Sequence, residues 1–258
     1  MTKTTKSQSK GIYLLPNLFT TGALFAGYYS IIAGINGKFE IAAIAIFIAA
    51  LLDGLDGRVA RLTNTQSEFG EQYDSLSDLI SFGLAPSLLM YNWSLNSFAN
   101  VHPIMGKIAW LVAFVYAVSG ALRLARFNVQ IDTTDKAYFQ GLPSPAAAAL
   151  LSSFVWVAVD HDFSGESLRY VALIATLVTG LLMVSKFRYY SFKTLPFKES
   201  VPFVWILVLV FVFVLLAIAP AKVLFVVFLG YALFGILLTL TGLRKKRKEK
   251  TKGVGDAG

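Results

Sequence analysis

The chain has 258 residues, 56% apolar and 15% charged, with a mean hydropathy of +0.63. Soluble domains run at about 45–50% apolar and about 25% charged, and no polar stretch here is long enough to bury a core of its own. The composition therefore excludes a soluble globular module and points to an all-α polytopic membrane protein. The absence of cysteine excludes a disulfide scaffold, a thiolate metal site and a cysteine nucleophile. The only histidines, His102 and His161, fall in loop-like segments and make a histidine-based metal site or triad improbable.

Taken in order, the apolar runs predict eight spans, at roughly 14–35, 39–62, 70–92, 104–126, 143–160, 167–185, 201–219 and 221–242. Lys3, Lys6 and Lys10 precede the first, which is too long and lacks an A-x-A site, so it reads as a membrane helix and not a cleaved signal. The fifth is short and opens on Pro143-Ser144-Pro145. The last two carry almost no polar side chains and are expected to face lipid. No internal repeat is visible, which disfavours a transporter of inverted halves. The net charge of +8 comes largely from the C-terminal run RKKRKEKTK, Arg244 to Lys252. After an apolar span such a run reads as a topology signal and headgroup contact, with no nucleic-acid partner expected.

Basic residues orient the chain. With the N-terminus in the cytoplasm and spans alternating, every lysine and arginine falls in cytoplasmic segments except Lys38, Lys107, Arg169 and Lys222. Both termini are expected in the cytoplasm, and so are the ends of spans two and three that face each other across residues 62–69. The whole chain is read as one membrane domain, 1–258, with a basic segment 1–12 and a basic tail 243–258.

The chemistry is concentrated between Asp53 and Asp78, where the sequence is DGLDGRVARLTNTQSEFGEQYDSLSD. Ionisable residues at membrane depth are costly and mark function. Residues three or four apart share a helix face. Asp53, Asp56, Gly57, Ala60 and Arg61 therefore form one stripe, and Gly70, Asp74 and Asp78 another. A short connection lets two antiparallel helices turn these stripes toward each other. Four carboxylates together need a counter-charge, most simply a pair of divalent cations. Gly54, Gly57, Ala60 and Gly70 remove bulk beside them, which leaves room for close helix packing or a flat ligand. Arg61 offers a fork for phosphate oxygens. Single acids near a membrane boundary are often solvated helix ends; four in this arrangement form a site suited to phosphoryl-type transfer.

The pattern D-x-x-D-G-x-x-A-R-x8-G-x3-D-x3-D is the signature of the CDP-alcohol phosphatidyltransferase family, and the sequence resembles it at every defined position. The resemblance implies a catalytic six-helix core over 13–185, with 186–242 a loop and two added helices. It implies two divalent cations, Mg2+ or Mn2+, held by Asp53, Asp56, Asp74 and Asp78. Asp78 would also be the base that deprotonates the acceptor alcohol. Gly57, Ala60, Arg61 and Gly70 would lie against the CDP moiety. Asn17 and Thr20, in Leu15-Pro16-Asn17-Leu18-Phe19-Thr20, would adjoin the nucleotide, although an asparagine at a helix start also caps backbone donors. The family commonly forms homodimers, and a bacterial inner-membrane location with the site facing the cytoplasm is expected from it.

Three further segments resemble the membrane-integral phosphatidylserine synthase branch of that family. They are Leu122-Arg123-Leu124-Ala125-Arg126-Phe127-Asn128, Gly141-Leu142-Pro143-Ser144-Pro145-Ala146-Ala147-Ala148 and Tyr189-Tyr190-Ser191-Phe192-Lys193. The implied reaction moves a phosphatidyl group from CDP-diacylglycerol to L-serine and releases CMP. Serine brings a carboxylate, so its pocket needs a cation. Arg123 and Arg126 share a face at the end of span four, and Lys186 and Arg188 end span six. Arg123, Arg126, Asn128, Ser144 and Lys186 are the acceptor-side candidates, though topology signals and headgroup anchors would use the same cations. A cationic pocket also suits glycerol 3-phosphate or inositol phosphate. Outside this reaction class, the rivals are a cation transporter using intramembrane carboxylates and a non-catalytic lipid-binding scaffold. The acids stand on two consecutive spans at one membrane face, which disfavours the former. A scaffold would not need all four.

Overall fold

The computed structural model describes residues 14–63, 65–129, 138–190 and 203–255. The basic N-terminal segment, Lys136 and most of Tyr189-Tyr190-Ser191-Phe192-Lys193 lie outside the described residues, as do the side chains of the C-terminal tail. The described residues are helical almost throughout. Helices α1 (Leu14–Ile35) and α2 (Phe39–Thr63) form an antiparallel hairpin. Its turn is set by Gly37, whose φ of 73° lies in the left-handed region. The Lys38 amide reaches Ala33 O at 2.9 Å and the Gly37 amide reaches Gly34 O at 3.1 Å, so the last carbonyls of α1 find partners. Ser30 Oγ ties the pair together by donating to Ala42 O at 2.7 Å.

The third expected span is helical from 68 to 93 but not uniform. It runs as α3 (Glu68–Asp78), a wider π-helical segment (Leu79–Leu84) and α4 (Ala85–Trp93). Ser67 starts it, accepting from the Gly70 amide at 3.1 Å. Glu68 and Glu71 in the first turn suit the positive end of the helix dipole. Next come α5 (Pro103–Val129), α6 (Ser144–Asp160) and α7 (Arg169–Val184), then α8 (Phe203–Ile218) and α9 (Pro220–Gly255).

The core is built from small residues. Ala42, Ala43 and Ala49 of α2, Ala85 of α4 and Ala147 and Ala148 of α6 are buried around Ile46, Phe82, Leu89, Tyr116 and Leu151. Small side chains let helix backbones approach where lipid offers no hydrophobic driving force between them. Asn17–Ile35, Pro103–Val129 and Pro220–Thr241 are long and apolar enough to cross a membrane, and Ser144–Asp160 and Arg169–Val184 are shorter apolar helices. The molecule is an integral membrane protein of helical architecture.

Two features depart from the sequence reading. Strands β1 (Tyr138–Gln140) and β2 (Arg188–Tyr190) pair antiparallel, with Phe139 opposite Tyr189, so the fold carries a small ribbon. The last two helices also differ from each other. Helix α8 exposes Leu207, Phe211, Phe213 and Ile218, as a lipid-facing helix should. Helix α9 packs one face on α6 and β2, burying Ala221 and Ala232, and leaves Val226, Leu233, Phe234 and Leu237 exposed as expected.

Candidate active site

The carboxylates come from α2 and α3, both leaning on α1. Thr20 of α1 donates its hydroxyl to Asp56 Oδ2 at 2.8 Å. Ser77 of α3 donates to the Thr20 carbonyl at 3.2 Å. One turn along, Ser81 donates to Ala23 O at 3.1 Å. Opposite it, Gly27 presents bare backbone: a Cβ there would stand 2.7 Å from Ser81 Cα. This contact fixes the register of α3 against α1, and with it the heights of Asp74 and Asp78.

Asp53, Asp56 and Asp74 each place a carboxylate oxygen so that the three lie within 4.8 Å of one another. Asp56 is only 5% exposed. Asp78 sits one turn deeper on α3, against Asp53 and within the field of Asp74 and Asp56. The group fits a divalent cation. Oxygen ligands stand about 2.0–2.6 Å from such an ion, so their mutual separations reach about 5 Å. Asp74 Oδ1 is buried and accepts no hydrogen bond, which is costly for a carboxylate unless a cation faces it.

Beside the acids lies a cleft of about 440 Å³. Asn17, Thr20, Gly57, Ala60, Arg61 and Gly70 line it together with Asp56, Asp74 and Asp78. Every residue expected against the CDP moiety is therefore at this cleft. Gly57 meets nothing that a Cβ would touch, and at Gly70 a Cβ would stand 3.2 Å from Ser67 Oγ and 3.6 Å from Asn17 Oδ1. Arg61 is exposed at the mouth. Thr20 has a second task besides lining the wall, since its hydroxyl is spent on Asp56.

The acceptor-side candidates divide. Asn128 lines the cleft and donates to Ser75 Oγ at 3.0 Å, joining α5 to α3. Arg123, Arg126, Ser144 and Lys186 are not among the lining residues. The face that Arg123 and Arg126 share turns toward the ends of α6 and α7. There Arg123 Nη1 donates to buried Ser144 Oγ at 2.9 Å, and Arg126 Nη1 donates to Val184 O at 3.3 Å. Arg123 also interacts electrostatically with Asp78, and its buried Nε makes no hydrogen bond. Lys186 is exposed just past α7. The sequence reading missed Thr65, Gln66, Ser67, Glu71, Gln72, Ser75, Leu124 and Phe127 as cleft residues. Only Ser67 carried a legible signal, as a serine three residues before Gly70 at a helix start.

The model of the CDP-alcohol phosphatidyltransferase family matches residues 13–184. The chain is 39% identical over 227 residues to a CDP-diacylglycerol--serine O-phosphatidyltransferase of Helicobacter pylori, covering 88% of this chain and 91% of the relative. It is 29% identical to a Mycobacterium leprae protein of the same name, over 85% of this chain and 72% of the other. It is 36% identical to an archaetidylserine synthase of Methanothermobacter thermautotrophicus, over 68% and 69% of the two chains. The matched stretch holds all four aspartates and the whole cleft, and the chain belongs to the CDP-alcohol phosphatidyltransferase family.

Proposed function

We propose that the protein transfers the phosphatidyl group of CDP-diacylglycerol to the hydroxyl of L-serine, giving phosphatidylserine and CMP. The observation that carries this reading is the cluster of Asp53, Asp56 and Asp74 oxygens, of which Asp56 and Asp74 line a cleft bounded by Gly57, Ala60, Gly70 and Arg61. The near full-length likeness to a relative named for serine transfer supports the choice of acceptor.

In this reading Asp53, Asp56, Asp74 and Asp78 hold two divalent cations, Mg2+ or Mn2+. When bound, these neutralise the diphosphate and the charge developing on the leaving group. Asn17 and the small residues of the cleft admit the nucleotide, and Arg61 takes phosphate oxygens at the mouth. The serine hydroxyl oxygen forms a bond to the lipid-linked phosphorus. The bond from that phosphorus to the CMP oxygen breaks, and CMP leaves with the electron pair. Asp78 takes the hydroxyl proton, which a free alcohol does not give up at neutral pH. We assign the serine carboxylate to Arg123, which lies outside the cleft lining but interacts electrostatically with Asp78 and keeps an Nε without a hydrogen bond, with Asn128 at the cleft wall. The enzyme works as a homodimer in the bacterial inner membrane with the cleft at the cytoplasmic face. Soluble serine and CMP then exchange with water while acyl chains stay in lipid.

The test is CMP release from CDP-diacylglycerol by purified protein, with serine, glycerol 3-phosphate, inositol phosphate or no acceptor. Release that depends on serine supports the reading. Release with another acceptor alone overturns serine while keeping the reaction class, and release under no condition overturns both.

A further inference from the structure

Beyond the stretch matched by the family model, α9 is more than an apolar span. Tyr189 of β2 is fully buried with its ring flush on the α9 backbone, and a Cβ at Gly235 would overlap that ring. The Tyr189 hydroxyl donates to Ala232 O at 3.3 Å, and its ring packs on Tyr231 with centroids 5.5 Å apart. The Arg188 amide donates to Thr239 Oγ1 at 2.9 Å. Three successive turns of α9 thus grip one short strand.

That strand leads to the site. β2 pairs with β1 residue for residue, and β1 runs directly into Gly141. The Gly141 amide donates to Phe187 O at 2.8 Å and the Leu142 amide to Leu182 O at 3.0 Å. Gly141 has a φ of 78°, and a side chain there would strike the Met183 carbonyl. Ser144 follows and receives Arg123. Arg123 is within electrostatic reach of both Asp78 and Tyr231.

We propose that α9 is a positioning element for the acceptor side of the site: Tyr189 and Tyr231, seated on Gly235, hold the β1–β2 ribbon and through it the Ser144–Arg123 pair. This rests on the serine-transfer reading, because it assigns Arg123 to the serine carboxylate. Tyr189, Tyr231, Gly235 and Ser144 are not among the residues lining the nucleotide cleft. Disturbing it shifts the apparent affinity for serine and leaves that for CDP-diacylglycerol alone.

Gly235→Ala pushes the Tyr189 ring away, and Tyr231→Phe removes only the phenol oxygen beside Arg123. Both are measured in the full-length purified protein, with separate KM values for serine and CDP-diacylglycerol and a thermal unfolding midpoint. Gly235→Ala is expected to raise the serine KM about tenfold, the scale of one lost charged hydrogen bond, with the KM for CDP-diacylglycerol within about twofold of the parent. Tyr231→Phe is expected to raise the serine KM severalfold at an unchanged midpoint, and it decides the matter if Gly235→Ala does not fold. Both KM values moving in parallel, or neither moving, overturns the positioning role. A parent protein that turns over CDP-diacylglycerol without serine dependence overturns the serine reading and this inference together.

Discussion

Thr20 shows how a side chain on the cleft wall acquires a second duty. Its resemblance-based role was a nucleotide contact, yet its hydroxyl is committed to Asp56. A buried carboxylate with a fixed donor keeps one oxygen oriented and leaves the other for a cation. Asp78 and Arg61 divide the remaining work in the proposed reaction, one at depth and one at the mouth. Asp78→Asn keeps the shape and removes the base. It is expected to lower turnover by at least about a hundredfold while CDP-diacylglycerol still binds; unchanged turnover removes Asp78 from that role. Arg61→Ala is expected to weaken CDP-lipid binding by about tenfold, the scale of a charged hydrogen bond, and unaltered affinity takes Arg61 out of the site. Helical spacing made the aspartates, Gly57, Ala60, Arg61 and Gly70 legible as one face on each of two helices, faces that α1 brings together. It could not say which way the Arg123–Arg126 face points, because that depends on how α5 is rotated against α6 and α7.

At the scale of elements, the contact of α1 with α3 and the π-helical segment sets the geometry of the acids. Gly27 opposite Ser81, with Ser77 and Ser81 bonded to α1 carbonyls, brings the two backbones together. Gly27→Val inserts bulk where the nearest obstacle is main chain, so relief requires moving the helix. Overpacking of this kind costs about 1–3 kcal/mol. The expected result is a lower thermal midpoint together with a loss of turnover larger than that of a distant substitution of equal stability cost; a normal midpoint and normal turnover contradict the contact's role. The eight expected spans correspond to helical stretches that start and end within a few residues of the reading, except that α9 continues to Gly255. Apolar length is a strong signal and needs no tertiary knowledge. The π-helical widening at Leu79–Leu84 was not legible, since it leaves the apolar pattern intact. Nor was the ribbon: strands of three residues are too short to show alternation, and their pairing joins segments some fifty residues apart.

At the scale of the whole molecule, the proposed metal site would couple stability to cation binding. Carboxylates crowded at one point repel in the absence of a cation, and an ion that binds only the folded state stabilises it by about 2.7 kcal/mol at a hundredfold excess over Kd. Mn2+ or Mg2+ is expected to raise the thermal midpoint of the detergent-solubilised protein by several degrees, and Asp53→Asn or Asp74→Asn to abolish the rise. A parent protein indifferent to both ions contradicts the metal assignment independently of activity. The overall hydropathy made the membrane class legible, but one apolar helix looks much like another in sequence. That one face of α9 packs while α8 stays exposed rests on its contact with α6 and on Gly235 against Tyr189, residues far apart in the chain.

The central claim is metal-dependent transfer of a phosphatidyl group to serine, and its most direct test follows the serine itself. Purified protein is given CDP-diacylglycerol and isotopically labelled serine, with Mg2+ or Mn2+ or with a chelator. The account predicts label in phosphatidylserine, an equal amount of CMP, and loss of both with the chelator or in Asp74→Asn. Label that stays in the aqueous phase while CDP-diacylglycerol is consumed, or lipid labelling that ignores the chelator, would contradict it.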